Sequence, residues 1–190
     1  MLVKLVLVSF LCAAVMAVVS SSASAADNPT IVVETSLGTF EAELFADKAP
    51  KTVANILSYV DDKFYDGLVF HRVIPTFMIQ GGGLDAKLNT KATKGKIKNE
   101  SANGLKNTRG TLAMARTSEV DSATSQFFVN VKDNGFLDRE GENAGYCVFG
   151  KVTKGMDVVD KIKDVKTETR NGSKDVPVED VTIKSIRVKK

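Results

Sequence analysis

A chain of 190 residues with one histidine, His71, and two cysteines, Cys12 and Cys147, has little with which to ligate a metal or run a histidine relay. Most zinc sites and histidine-based mechanisms are excluded on that ground, and no Gly-x-Ser-x-Gly elbow is present to support a hydrolase. Tryptophan is absent. Neither sign of charge dominates: 26 basic residues stand against 23 acidic ones, a formal net charge of +3, and they are spread through the sequence. No electrostatic footprint for nucleic acid results.

What is present begins with a short basic start at Met1 to Lys4, an apolar run from Leu5 to Val19, and the small residues Ala23-Ser24-Ala25. That order predicts a secretory signal over residues 1–25, cut after Ala25 or Ala26, and a periplasmic or secreted product with no stable membrane association. The apolar run falls short of the ~20 residues that span a bilayer. Cys12 follows Leu11, where a lipoprotein signal would carry a small residue. Its removal leaves Cys147 alone, so no internal disulfide is expected and stability must come from the core. Cys147 lies in the apolar run Tyr146-Cys147-Val148-Phe149 and is expected as a buried small hydrophobe. With 43% hydrophobic and 26% charged residues, residues 26–190 suit a single well-buried domain.

Along that domain, Thr30 to Thr35 reads as a strand, Ser36-Leu37-Gly38 as a turn and Thr39 to Leu44 as the returning strand of a hairpin. Pro50 suits a first helical position, and Val53, Ile56, Leu57 and Val60 form one stripe of a helix of about three turns. Leu68 to Ile74 and Thr76 to Gln80 have strand character, broken by Pro75. Gly81 to Arg109 is polar and without periodicity, a connection long enough to be functional or mobile. Strand character returns at Gly110 to Ala115, Gln126 to Asn130 and Cys147 to Val152, with a short apolar island at Phe136-Leu137. Met156, Val159 and Ile162 mark a second helix ending near Asp164. In the last stretch the apolar parity slips between Val181, Ile183 and Ile186, Val188, as at a bulge or a barrel corner. Many short strands with two helices suit a mainly β fold, a closed barrel whose ends the helices cap.

The stretch Phe70 to Gly83 carries the clearest signal. It sets one guanidinium, Arg72, among Phe70, Val73, Ile74, Phe77 and Met78, and it ends at three glycines. A buried arginine so placed is either paired with a carboxylate or kept for a ligand. Gly81-Gly82-Gly83 lacks the Lys-Ser/Thr of a phosphate loop and reads as a backbone bend. Phe70-His71-Arg72-Val73-Ile74-Pro75 and Phe77-Met78-Ile79-Gln80-Gly81-Gly82 are followed by Gly110-Thr111-Leu112-Ala113-Met114-Ala115, Ser125-Gln126-Phe127-Phe128 and Val148-Phe149-Gly150-Lys151-Val152. In that order these segments resemble the signatures of the cyclophilin family, from about Ile31 to Val188. The signal, Tyr146 and Ala115-Arg116-Thr117 bring the resemblance closest to the bacterial exported branch.

The resemblance implies an eight-stranded antiparallel barrel with two helices and catalysis of cis/trans isomerisation at X-Pro bonds, without a cofactor or a metal. It implies Arg72 as the catalytic donor. Phe77, Met78, Phe128, Phe136, Leu137 and Tyr146 would form the proline pocket; Gln80 would hold the substrate backbone and orient Arg72; Gln126 would lie beside them. Ala115 and the backbone of Arg116 would bind the peptide. Alternation along the strand sends one of Phe127 and Phe128 into the core and leaves the other to the pocket. His71 is then a structural hydrogen-bonding residue. The implied partners are proline-containing segments of unfolded or partly folded exported proteins, met by a monomer; the alternative is a chaperone or binding module that grips such segments without turnover. Many family members carry Trp where Phe136 stands, so cyclosporin, the family's inhibitor, is expected to bind weakly. Many also have His at the place of Tyr146 and Asn at that of Arg116, changes at the pocket rim.

Overall fold

A computed structural model of the chain describes residues 28–190, so the expected signal segment and Cys12 lie outside the described residues. Among the described residues no helix is long and apolar enough to cross a membrane. The chain forms β1 (Thr30–Thr35), β2 (Gly38–Leu44), α1 (Pro50–Asp61), β3 (Arg72–Ile74), β4 (Met78–Gly81), β5 (Thr111–Met114), β6 (Phe127–Asn130), β7 (Val148–Lys154), α2 (Met156–Lys163), β8 (Thr167–Arg170), β9 (Ser173–Pro177) and β10 (Ile183–Val188). Eight strands make one curled antiparallel sheet in the order β10-β1-β2-β7-β5-β6-β4-β3, and β8 pairs only with β9.

The expected closed barrel is not what forms. The ladder is open between β3 and β10, where a single bridge, Val69↔Thr182, and the bonds Phe70 N–H to Val181 O (2.9 Å) and Ile183 N–H to Leu68 O (2.7 Å) join the edges. Only Arg72–Ile74 of the predicted strand Leu68 to Ile74 is regular, because Pro75 ends the run on one side and the backbone before Arg72 turns to meet Thr182 on the other. The second strand likewise starts at Met78, after the turn through Thr76 and Phe77. The hairpin β8–β9 has no counterpart among the predicted strands, because its mostly exposed, charged residues show no alternating apolar face. The parity slip near the end is a bulge: Thr35 pairs Ile183 while Glu34 pairs Ser185, leaving Lys184 over. Val188 beyond it is exposed, not buried.

One face of the curled sheet encloses the main core, to which α1 contributes Val53, Ile56, Tyr59 and Val60 and α2 contributes Val158, Val159 and Ile162. Leu57 and Met156, read as members of the two stripes, pack at the margin of that core. The long polar connection is tied down rather than featureless. Glu100 accepts hydrogen bonds from Lys51 N–H (3.2 Å) and Thr52 N–H (2.8 Å), capping the first turn of α1, whose own N-cap residue, Ala49, has no side chain able to do so. Lys94 N–H donates to the Tyr59 hydroxyl (2.8 Å), and Ile97 bridges Ala123.

Candidate active site

Four neighbouring strands, β3, β4, β6 and β5, place their residues in cross-strand rows. Arg72 pairs Gln80, Gln80 pairs Phe128, and Phe128 pairs Ala113, which in turn pairs Val148 on β7. The next row runs Val73, Ile79, Val129, Leu112, Gly150. Because successive side chains alternate between faces, the second row is sealed in the main core and the first faces outward. Phe127 accordingly packs in the core, edge-on to Tyr65 and Phe70, while Phe128 joins Met78, Ala113, Leu137 and Val148 in a separate small apolar cluster.

That small cluster is the floor of a cavity of about 410 Å³ lined by Arg72, Phe77, Met78, Gln80, Ala115, Arg116, Phe128, Phe136, Leu137 and Tyr146. Its lip is aromatic: Phe136, 68% exposed, stacks on Phe77 with ring centroids 5.4 Å apart, and Tyr146 stands edge-on to Phe128 at 5.9 Å. Arg116 lies over the Tyr146 ring at 4.5 Å and donates from Nε (3.2 Å) and Nη2 (3.1 Å) to Gly145 O. Gln126 lines an adjoining cavity of about 180 Å³ that shares Gln80, Ala115 and Arg116 with the first.

Three local arrangements differ from those implied by the sequence. Gln80 does not hold Arg72: its Nε2 donates to Gln126 Oε1 (2.9 Å). Arg72 is also not buried, its side chain being 43% exposed, and its acidic neighbour is Asp175 Oδ2, 3.9 Å from Nε. No side-chain hydrogen bond engages its guanidinium among the described residues, so both alternatives for a solitary arginine hold at once: a loose carboxylate partner and free donors toward a cavity. Nor does His71 act as a fully bonded structural residue. Its Nδ1 is buried without a partner, and burial pulls the imidazole down to about 4, helped by the Arg72 charge and opposed by the Val69 backbone.

The glycines after Gln80 are spacers as well as a bend. A Cβ at Gly81 would lie 3.0 Å from the Phe70 ring and from Val69 O, and one at Gly83 would overlap the Gln126 side chain. Only Gly82 has a left-handed φ, +84°. Behind the lip is a polar network that sequence patterning missed. Asn134 Nδ2 donates to Phe77 O (2.8 Å) and Asn130 Oδ1 (2.7 Å), Asn130 Nδ2 donates to Thr111 Oγ1 (2.9 Å), and Asp138 Oδ1 accepts from Asn107 N–H (2.7 Å) and Nδ2 (3.0 Å). The one available clue was an asparagine, Asn130, ending an apolar strand run, since a buried amide needs partners.

An open apolar cavity with a guanidinium at one edge and two linked amides beside it can seat a small apolar ring and donate to a group next to it. It offers no activated nucleophile: burial pushes the Cys147 thiol up to about 11, and its polar neighbours at 3.6 Å are the Thr52 hydroxyl and Val148 O. Among the described residues no group of three or more His, Cys, Asp or Glu could hold a metal ion.

The comparisons with known proteins agree with one another. The family described as cyclophilin type peptidyl-prolyl cis-trans isomerase/CLD matches residues 30–188. A peptidyl-prolyl cis-trans isomerase of Acinetobacter baylyi is 56% identical over 168 residues, 88% of this chain and 89% of its own length. Peptidyl-prolyl cis-trans isomerase B of Escherichia coli is 55% identical over 161 residues, 83% of this chain and 98% of its own. Among solved structures, a cyclophilin type isomerase of Cryptosporidium parvum superposes with a TM-score of 0.72 at 24% identity, covering 86% of this chain and 98% of that one. A second structure of that protein, obtained in the presence of the dipeptide Ala-Pro, gives 0.71, again at 24% identity, covering 85% of this chain and 99% of that one.

Proposed function

The chain belongs to the cyclophilin-type peptidyl-prolyl cis-trans isomerases, and from that premise we propose that Arg72 is its catalytic donor and that it isomerises X-Pro bonds in exported polypeptides. The observation that carries the first part is Arg72 on the wall of an apolar cavity with no hydrogen bond from the described residues occupying its guanidinium. Amide resonance gives the X-Pro bond a rotational barrier of ~18–20 kcal/mol. In the twisted state that resonance is lost, and the prolyl nitrogen becomes pyramidal and recovers a lone pair. A permanently charged N–H donor binds that lone pair and finds no such acceptor in the planar ground state, so its binding lowers the barrier selectively.

Met78, Phe128 and Leu137 form an apolar floor suited to the proline ring, with Phe77 and Phe136 as a lip against water. The Gln80–Gln126 pair and the backbone at Ala115 and Arg116 supply donors and acceptors for the flanking peptide. Proline-containing segments are thus the substrates proposed for this cavity, bound by a monomer. Export is supported by the basic start, apolar run and Ala23-Ser24-Ala25 of residues 1–25. N-terminal sequencing of protein recovered from a bacterial periplasm or culture medium should begin at Ala26 or Asp27; an uncut Met1 there sinks the export assignment.

The test of Arg72 is Arg72→Ala in a protease-coupled isomerisation assay on an X-Pro peptide. A preorganised donor of this type is worth about 2.7–4 kcal/mol, so kcat/KM should fall ~10²–10³-fold while the melting temperature holds. Undiminished kcat/KM removes Arg72 from the mechanism.

A further inference from the structure

We propose that Asp175 is a positioning residue for Arg72, a role that rests on Arg72 being the catalytic donor. Three separate features of β9 converge on it. Asp175 Oδ2 is the carboxylate oxygen beside Arg72, 3.9 Å from Nε, so the contact falls on the stem side of the guanidinium and leaves both Nη atoms uncommitted. Asp175 also sits at a break in the β8–β9 ladder: Glu168 pairs Val176 and Arg170 pairs Ser173, so Lys174 and Asp175 together oppose Thr169. A bulge of this kind redirects a side chain. Finally, the backbone of Asp175 is left-handed, φ +62°, a conformation that glycine and asparagine adopt at least as readily.

Backbone conformation alone therefore does not select an acid at this bulge. The carboxylate adds a charge beside Arg72, on the β3 edge of the cavity wall, and β9 packs against β3. Arginine carries large rotamer entropy, and Gln80, its cross-strand neighbour, has its amide engaged by Gln126. The ion pair with Asp175 is what narrows the swing of Arg72, and it reaches the site from the hairpin outside the main sheet.

Asp175→Asn keeps a residue suited to the left-handed backbone and removes only the charge. A pair this exposed has a modest effect, so kcat should fall about two- to fivefold with KM unchanged. Wild-type kcat should fall toward the same value in high salt, while the variant is insensitive to salt. In an Arg72→Ala background the substitution should change nothing further, since its partner is gone. Unchanged or higher kcat in Asp175→Asn, with Arg72→Ala inactive, overturns the positioning role and leaves Arg72 in place; so does a loss that persists in the Arg72→Ala background. Full activity of Arg72→Ala itself removes both.

Discussion

Two adjacent rows of one sheet divide the work of this molecule. Val73, Ile79, Val129 and Leu112 are wholly buried and meet side chains from both helices and the opposite strands in one continuous core. One residue along each strand, Arg72, Gln80, Phe128 and Ala113 share the same backbone ladder but meet a five-residue cluster and a cavity. The hydrogen bonds are common to both rows, so the ladder cannot be what separates stability from catalysis. The pleat separates them: a period of two sends neighbours to opposite solvents, and a polar or cationic residue is tolerated where the face is open.

The sharpest way to break this division is the pair Phe127 and Phe128. Phe127→Ala opens a hole in the main core and should cost about 3–5 kcal/mol of stability, while the molecules that remain folded keep kcat/KM within about twofold. Phe128→Ala should lower kcat/KM about tenfold or more, because it removes the pocket floor. Urea titrations and isomerisation assays on both variants check the pair, and a core-type result for Phe128 would dissolve the distinction. Next in size is Arg72→Ala, where the loss should be confined to kcat/KM and the unfolding midpoint should stay in place.

His71, partly buried beside Arg72, gives a test by pH. Folded, its imidazole titrates at about 4, against about 6.5 for a free histidine. The unfolded chain therefore takes up the proton first: this contribution is complete above about pH 6.5 and is lost as pH falls toward 4, by about 3 kcal/mol. Urea unfolding at pH 7.5 and 4.5 should show a drop larger by about that amount in wild type than in His71→Gln; equal drops would show that burial does not depress the imidazole. Smallest is Phe136, exposed on the lip. Phe136→Trp supplies an indole N–H and should tighten cyclosporin binding by about two- to tenfold, a hydrogen bond's net ~0.5–1.5 kcal/mol, with unfolding unchanged. Calorimetric titration of both proteins checks it, and identical affinities would show that the missing donor does not limit binding.

The sequence by itself determined the elements whose cause lies within a few residues: the Ser36-Leu37-Gly38 hairpin, the two helices from their apolar spacing, the bulge from the slipped parity after Ile183, and the family from segments such as Phe70 to Gly82. Alternation also foretold that Phe127 and Phe128 would part, and the family resemblance gave Phe128 to the pocket. The tertiary structure decided the open edge between β3 and β10, the Glu100 cap on α1, the pairing of Gln80 with Gln126 and the approach of Asp175 to Arg72. The physical reason is common to all of these. Side-chain periodicity is a local property of the backbone, whereas a contact across many tens of residues depends on the closure of every intervening loop and on where polar groups find partners, and neither leaves a period in the chain.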